Sequence, residues 1–159
     1  MTNAVSVSLR SGTLDDLDFL SESHRSGHKA IEAERGGELD ILLRGRAEPI
    51  EESFRTTLAN ADSTVLIGEV DDVAVGYLVL DNVDLRSGAK ISRVVDMWVH
   101  PEARGVGVGG ALMTKAMALA DEQGCSGIDA RALPGDRATK NFFESFGLVA
   151  RTIEVHKTL

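Results

Sequence analysis

The chain is short of the residues that staple, span or bind polyanions. A single cysteine, Cys125, in 159 residues rules out an internal disulfide and fits a reducing, cytoplasmic setting. No run approaches the ~18 to 20 apolar residues of a membrane span, so no membrane partner is expected. The opening "MTNAVSVSLRSGTLDDLDFL" lacks a basic start followed by an apolar core, so no secretory signal is expected. Basic side chains number 17 against 25 acidic ones, a formal net charge of −8. Such a field repels nucleic acid and anionic lipid unless cations gather on one face. The nearest approach to a cluster is "LLRGRAE", with Arg44 and Arg46 beside an acid, and no nucleic-acid role follows from it. There is no internal repeat, low-complexity tract or linker.

What is present is ordinary globular material, 43% apolar and 26% charged, and residues 1–159 read as one domain able to bury its own core. "AVSVSLRSG" alternates as a strand. Thr13 is placed to cap a helix with Asp15 and Asp16 in its first turn, running towards Ala33 and breaking at Gly36-Gly37. "ELDILLRGRAEP" is ambiguous and reads as including a flexible connection. Pro49 suits the first turn of a helix with an apolar face of Ile50, Phe54 and Leu58.

Two β runs, "STVLIGEV" and "VAVGYLVLDNV", meet at Asp71-Asp72 as a hairpin, and "ISRVVDMWV" completes an antiparallel meander. A helix, "GALMTKAMALADEQ", is stopped by Gly124. It separates the meander from a strand "SGIDARAL", which is therefore expected to pair parallel with "ISRVVDMWV". A short helix "RATKNFFESF" and a closing strand "LVARTIEVHKTL" finish the chain. The expectation is an α/β fold: a mixed central sheet, antiparallel meander plus parallel pair, flanked by helices.

The chemistry is concentrated in "VHPEARGVGVGGALM". Glycines between a strand and a helix let a ligand approach the backbone, and the helix start adds about half a positive charge, which attracts phosphate. Gly105, Gly107 and Gly110 spell G-x-G-x-x-G, and Asp129 follows 19 residues after Gly110, much as a dinucleotide site would have it. Against that reading, "HPEAR" separates the strand from the first glycine, and the upstream sheet is antiparallel. After Asp129 only 30 residues remain, too few for the rest of such a site.

The same letters contain R-x-x-G-x-G from Arg104 to Gly109 after V-x-P, and "DRATKNFFESFGL" follows downstream. Together with the element order, "VDMWVHPEARGVGVGGALM" resembles the signature of the GNAT superfamily of acyl-CoA-dependent N-acyltransferases along essentially the whole chain. The resemblance implies a GNAT-like domain over 1–159. It also implies acetyl transfer from acetyl-CoA to a primary amine of a small molecule or peptide, by direct attack in a ternary complex and without a metal. Dimers are common among such proteins, so a homodimer is open to this chain.

The resemblance implies that backbone amides from Arg104 through Gly105, Val106, Gly107, Val108 and Gly109 to Gly110 cradle the coenzyme pyrophosphate. Val106 and Val108 are expected to turn their side chains into the core. Met97, Trp98 and Val99 would run beside the pantetheine arm like an added strand, with a backbone N–H near Val99 facing the oxyanion. Asp136, Lys140 and Phe143 complete the expected coenzyme contacts. Phe143 stands where many relatives carry a tyrosine that protonates the departing thiolate, and Asp136 and Thr139 replace the family's asparagine and alanine.

An alkyl amine with a pKa near ~10.4 must lose a proton before it attacks. Asp96, in the strand lining the cleft, is the candidate general base, with pairing to Arg93 or Lys90 as its structural alternative. Asp129 is a weaker candidate, and Glu32 and Glu34 could attract a cationic amine. His24 and His28 stand four apart on the first helix without a third metal ligand nearby. Because Phe143 cannot give a proton, the alternative function is a catalytically weak acyl-CoA-binding sensor or interaction module of the same fold.

Overall fold

The computed structural model describes residues 5–159, so part of the expected first strand and of the opening stretch lies outside the described residues. Strand β1 (Val7–Ser11) is followed by a single 3-10 turn, Leu14–Asp16, and then helix α1 (Leu17–Glu32). Thr13 caps as its sequence suggests: its Oγ1 accepts from Asp15 N, and its own N–H donates to the Asp16 carboxylate at 2.8 Å. Arg10 clamps that carboxylate with both terminal nitrogens, at 2.8 and 2.7 Å, and this holds the Asp16 carboxyl below its ordinary range.

The ambiguous stretch after Gly36 opens with a helix, α2 (Gly37–Arg44), and residues 45–49 form a short non-helical connection to the next helix. Gly36 enters it at φ +81°, and an Asp40–Arg44 pair one turn apart supports it. Helix α3 (Ile50–Ala59) then buries Ile50 and Phe54. Strands β2 (Ser63–Val70) and β3 (Val73–Asp84) form the expected hairpin. Its two turn residues, Asp71 and Asp72, both take positive φ, +49° and +65°, as a tight two-residue turn demands. Strand β4 (Lys90–Val99), helix α4 (Val108–Glu122), strand β5 (Ile128–Asp129) and helix α5 (Arg137–Ser145) complete the order.

The sheet runs β1-β2-β3-β4-β5, antiparallel except for the parallel β4–β5 pair, so the mixed-sheet expectation holds. Two apolar layers cover it. On one face Leu17, Leu20, Ile50 and Phe54 from α1 and α3 pack on Ile67, Tyr77 and Val79. On the other, Val108, Leu112, Met113 and Ala116 from α4, with Phe143 from α5, pack on Leu66, Leu78, Leu80 and Val94. Burial of this size is the main term holding the fold.

Two strand expectations fail. "SGIDARAL" contributes only Ile128 and Asp129, which pair with Ser92 and Arg93. "LVARTIEVHKTL" forms no strand at all, and Val149, Ile153 and Val155 are almost fully exposed. The reason is shared: a two-residue β5 offers almost no ladder for a further strand to join. The tail is held by side chains instead, Arg151 on Asp129 and Glu154 on Arg44. No helix among the described residues is long and apolar enough to cross a membrane.

Candidate active site

The glycine loop is built from backbone. Gly105 and Gly107 take φ of +86° and +98°, a region that side chains resist, and Gly107 is the residue preceding the first turn of α4. A Cβ at either position would meet no atom within 4 Å, so the loop surface is open to a ligand. Ala111 N is bonded to Gly107 O at 2.9 Å, and helix geometry leaves the earlier N–H groups of the first turn without intrahelical acceptors. Val108 is buried as expected; a Cβ on Gly68 of β2 would stand 2.6 Å from its Cγ1, so a bare strand position lets the helix start press on the sheet. Val106 is corrected: the residue is 41% exposed rather than buried in the core, standing between two positive-φ glycines of the loop. Arg104 is exposed and ties the loop back to β4, its Nε donating to Val99 O at 3.1 Å.

Beside the loop, β4 parts from its parallel neighbour. The β4–β5 pairing stops at Arg93 and Asp129, whereas on its other side β4 stays paired with β3 to Val99. Met97 and Val99 turn their side chains to the α4 layer, and Trp98 turns to the opposite face, where a Cβ on Gly27 of α1 would be 3.1 Å from its ring. One edge of the strand between Val94 and Val99 is therefore left without a strand partner, next to a helix start that favours anions.

A β-bulge decides where Asp96 goes. Val79 pairs with Asp96 but Leu80 pairs with Val94, so Val95 is an extra residue in β4. Strand alternation would put Asp96 on the same face as Val94, under α4. The bulge resets the phase and sends it to the α1–α3 face, a recurrent use of bulges near active sites.

There its carboxylate is enclosed by polar partners from three other segments. Tyr77 OH donates to Oδ1 at 2.8 Å. Arg46 Nε donates to Oδ2 at 3.0 Å, and His24 Nδ1 stands 3.0 Å from the same oxygen. Arg46 is itself fixed by Thr57 Oγ1 at 2.8 Å and Ser53 Oγ at 3.3 Å, with its guanidinium 3.9 Å from the Phe54 ring centroid. Burial alone would push the Asp96 carboxyl up, but His24, Arg46 and Tyr77 together outweigh it and hold the group below the ordinary carboxylate range. The same burial, with Asp96 alongside, pushes the Tyr77 phenol well above its usual value.

The expected role of Asp96 as proton acceptor meets a physical objection. A carboxylate whose oxygens already accept three bonds, with a depressed pKa, binds a further proton weakly. Its pairing is also not with Arg93 or Lys90, which turn instead to Asp129 and to Asp62 and Asp84. Asp129 is bound by Arg151, which holds its carboxyl below the ordinary range as well.

The remaining expected residues divide. Asp136 caps α5, its carboxylate accepting from Thr139 N at 3.0 Å. Lys140 is exposed and pairs with Glu144 at 2.8 Å. Phe143 is 9% exposed and packs in the core under α4, because α5 must bury one side of its apolar stripe. Its neighbour Phe142 is the ring beside Gly109, where a Cβ would lie 3.6 Å away, near the Met97 methyl. Glu34 reaches the loop before α5, its Oε2 standing 2.9 Å from where a Gly135 Cβ would be, and Arg131 grips Asp40 of α2 with contacts of 3.0 and 3.1 Å. The α1–α2 turn thus bridges from the Asp96 face of the sheet to the far side of the β4–β5 gap. Glu32 and Glu34 line a surface groove there of about 440 Å³ with Glu38, Leu39, Leu42 and His156. No group of three His, Cys, Asp or Glu side chains suited to a metal occurs among the described residues.

The residues missed by sequence reasoning are Arg46 and Tyr77 as partners of Asp96, and Phe142. One signal was available: a lone acid inside an apolar strand, "VVDMWV", has to find partners when the strand is buried.

A mixed sheet whose fourth strand leaves its parallel partner beside a glycine-opened helix is the architecture of an acyltransferase. Residues 28–148 match the model of the acetyltransferase (GNAT) family, and the chain belongs to that family. It is 28% identical over 119 residues to an uncharacterized N-acetyltransferase of Archaeoglobus fulgidus, covering 74% of this chain and 76% of the relative. A mutant protein of Bacillus halodurans superposes with a TM-score of 0.78 at 20% identity, over 96% of this chain and 99% of that one. The ribosomal-protein-alanine N-acetyltransferase of Brucella melitensis biovar Abortus gives 0.73 at 17% identity, over 97% and 99%. At those identities the two structures speak for the fold.

Proposed function

We propose that this chain moves an acetyl group from acetyl-CoA to a primary amine of a small molecule or peptide, by direct attack within a ternary complex, with residues 1–159 acting as one domain. The observation that carries the reading is the open loop from Arg104 to Gly110 at the start of α4, set against the unpaired edge of β4. A pyrophosphate fits a run of outward N–H groups at a helix start, where two positive-φ glycines leave no side chain in the way. The edge of β4 from Met97 through Trp98 to Val99 offers main-chain groups to an extended arm carrying amides. Acetyl-CoA supplies the activated thioester. The chain's own residues would orient it and receive the amine on the α1 side of the gap, beside the Asp96–Arg46 pair.

Asp136 and Lys140 belong to the first turn of α5 and its cap, and Lys140 would contribute positive charge towards the coenzyme in an otherwise acidic protein. Phe142, whose ring lies beside Gly109, supports an aromatic contact to a ligand in the loop. A second reading, a coenzyme-binding module with weak turnover, is favoured by one observation: position 143 carries no hydroxyl, and the Tyr77 hydroxyl is already committed to Asp96.

The test is thiol release from acetyl-CoA over a panel of alkyl amines, polyamines, aminoglycosides and peptides, alongside calorimetry of coenzyme binding. Binding with turnover of at least one amine is expected. Folded protein that does not bind acetyl-CoA would sink the reading, and binding without turnover would favour the module.

A further inference from the structure

His24 is the residue that the acetyl-transfer reading leaves unexplained. Its side chain is buried on α1, Nδ1 lies 3.0 Å from Asp96 Oδ2, and Nε2 is buried with no hydrogen-bond partner. Next to it is His28, one turn on and half-buried, with ring centroids 3.9 Å apart and planes tilted by 55°. Phe54 of α3 closes the other side with its edge, and Tyr77 OH is 3.5 Å from His24 Nδ1.

The charges around this pair are already balanced. Asp96 of β4 is ionised and Arg46, from the segment between α2 and α3, neutralises it. Because that carboxylate can only accept, His24 donates through Nδ1–H, and its Nε2 then carries a bare lone pair. This is the arrangement in which a carboxylate fixes the tautomer of an imidazole and leaves the far nitrogen basic. His28 faces His24 and Glu32 from its own helix, Asp96 from β4, and Glu48 from the segment before α3. Burial first, and then His24, lower its tendency to take a proton. Two imidazoles in contact, with no anion left unpaired beside them, accommodate one proton between them far more readily than two.

We propose that His24 and His28 form a one-proton relay, fixed in place by Asp96, that takes the proton an amine must shed on the α1 side of the β4–β5 gap and passes it to solvent through half-buried His28. The proposal rests on the acetyl-transfer reading above. In the transfer the N–C bond forms and the C–S bond breaks. The ammonium nitrogen gives up two protons: one leaves with the coenzyme thiolate, and one goes to the imidazole pair and from there to water. A store of one proton is therefore what the stoichiometry requires. Asp96, Arg46 and Tyr77 are positioning residues in this scheme.

The test uses the full chain, acetyl-CoA and the amine of the panel that is turned over fastest. His28→Gln removes the outlet at a half-buried site. His24→Asn keeps an amide donor towards Asp96 but has no counterpart of Nε2. Each is expected to lower kcat about 10- to 100-fold at pH 7.5, the scale of general-base assistance, while calorimetric affinity for acetyl-CoA stays within about twofold. In the wild type, kcat/KM should fall on the acid side as half-buried His28, whose burial lowers its tendency to take a proton, becomes charged, and this limb should vanish in His28→Gln. Added imidazole should restore part of the rate to His28→Ala, a rescue that a purely structural role would not show. Imidazole nitrogen NMR should find the Nδ1–H tautomer at His24 and a single proton shared by the pair as pH falls.

Variants that both run at the wild-type rate from pH 6 to 9 would overturn the relay alone, as would two histidines that protonate independently. A wild type that binds acetyl-CoA but acetylates no amine would overturn the parent reading, and the relay with it.

Discussion

The glycine loop and the Asp96 cluster belong to the same C-terminal end of β4 and are made in opposite ways. The loop is contiguous, from Arg104 to Gly110, and uses main-chain groups. Its side chains are absent, exposed or turned into the core. The cluster draws His24, Arg46, Tyr77 and Asp96 from four segments and works entirely through side chains. Loops of the first kind bind whatever presents a phosphate and an extended arm, so they fix the common donor. Clusters of the second kind depend on how helices α1 to α3 sit on the sheet, and under the proposed function the amine side would be individual there.

The sharpest way to break the comparison is Asp96→Asn, which should damage the cluster without touching the loop. It leaves Arg46, at 12% side-chain exposure, buried without its anion, and breaking such a pair typically costs about 3–5 kcal/mol. Urea unfolding should show that loss while the remaining folded protein binds acetyl-CoA normally. The pH dependence has a definite sign. Because the folded-state pKa of Asp96 lies below its unfolded value, near 3.9, its contribution is complete above that pH and disappears as pH falls through the folded value. The stability gap between wild type and variant should therefore narrow in acid below about pH 4. A constant gap down to pH 2 would contradict the assigned bonding.

Gly107→Glu makes the reciprocal cut. A side chain at φ +98° costs about 1–2 kcal/mol, and the added carboxylate stands at the positive end of α4 where the pyrophosphate is to lie. Calorimetry should show acetyl-CoA affinity reduced at least about 100-fold, or about 2.7 kcal/mol. The Asp96 cluster, read by the pH dependence of unfolding, should be unchanged. Affinity within a few-fold of wild type would remove the loop as the coenzyme site.

The same contrast explains what could be read from the letters. The loop, the capping residues at Thr13 and the Asp-Asp hairpin are local, and each follows from the backbone conformation that a short stretch must adopt. The partners of Asp96 were not legible, because a single extra residue at Val95 inverts which face the aspartate uses, and no periodicity marks it. The burial of Phe143 was not legible for a related reason. "NFFESF" says that α5 is amphipathic but not which of two adjacent rings faces the core. The final strand failed because a β pattern needs a partner edge, and β5 supplies two residues.

Tyr77→Phe is a smaller and cleaner probe of the cluster. It deletes one hydroxyl at a fully buried ring while keeping the ring's packing on Phe54. The lost bond to a charged acceptor should cost about 1.5–3 kcal/mol by urea unfolding. Acetyl-CoA affinity should not change. If Tyr77 instead supplied the thiolate's proton, kcat would fall with no loss of stability, an outcome that would reassign the hydroxyl.

The smallest effect is expected from Asp40→Ala, which tests whether α2 belongs to the amine side. Asp40 binds Arg44 on its own helix and Arg131 just past β5, and Arg131 is half exposed. Exposed pairs of this kind contribute less than about 1 kcal/mol, so stability should barely move. The geometric consequence is larger than the energetic one, because Asp40 is a tether between α2 and the far side of the β4–β5 gap. Loosening it should change KM for the amine a few-fold and leave KM for acetyl-CoA unaltered. Equal shifts in both would mean that α2 covers donor and acceptor alike, and the division between a backbone-built donor site and a side-chain-built acceptor site would no longer hold.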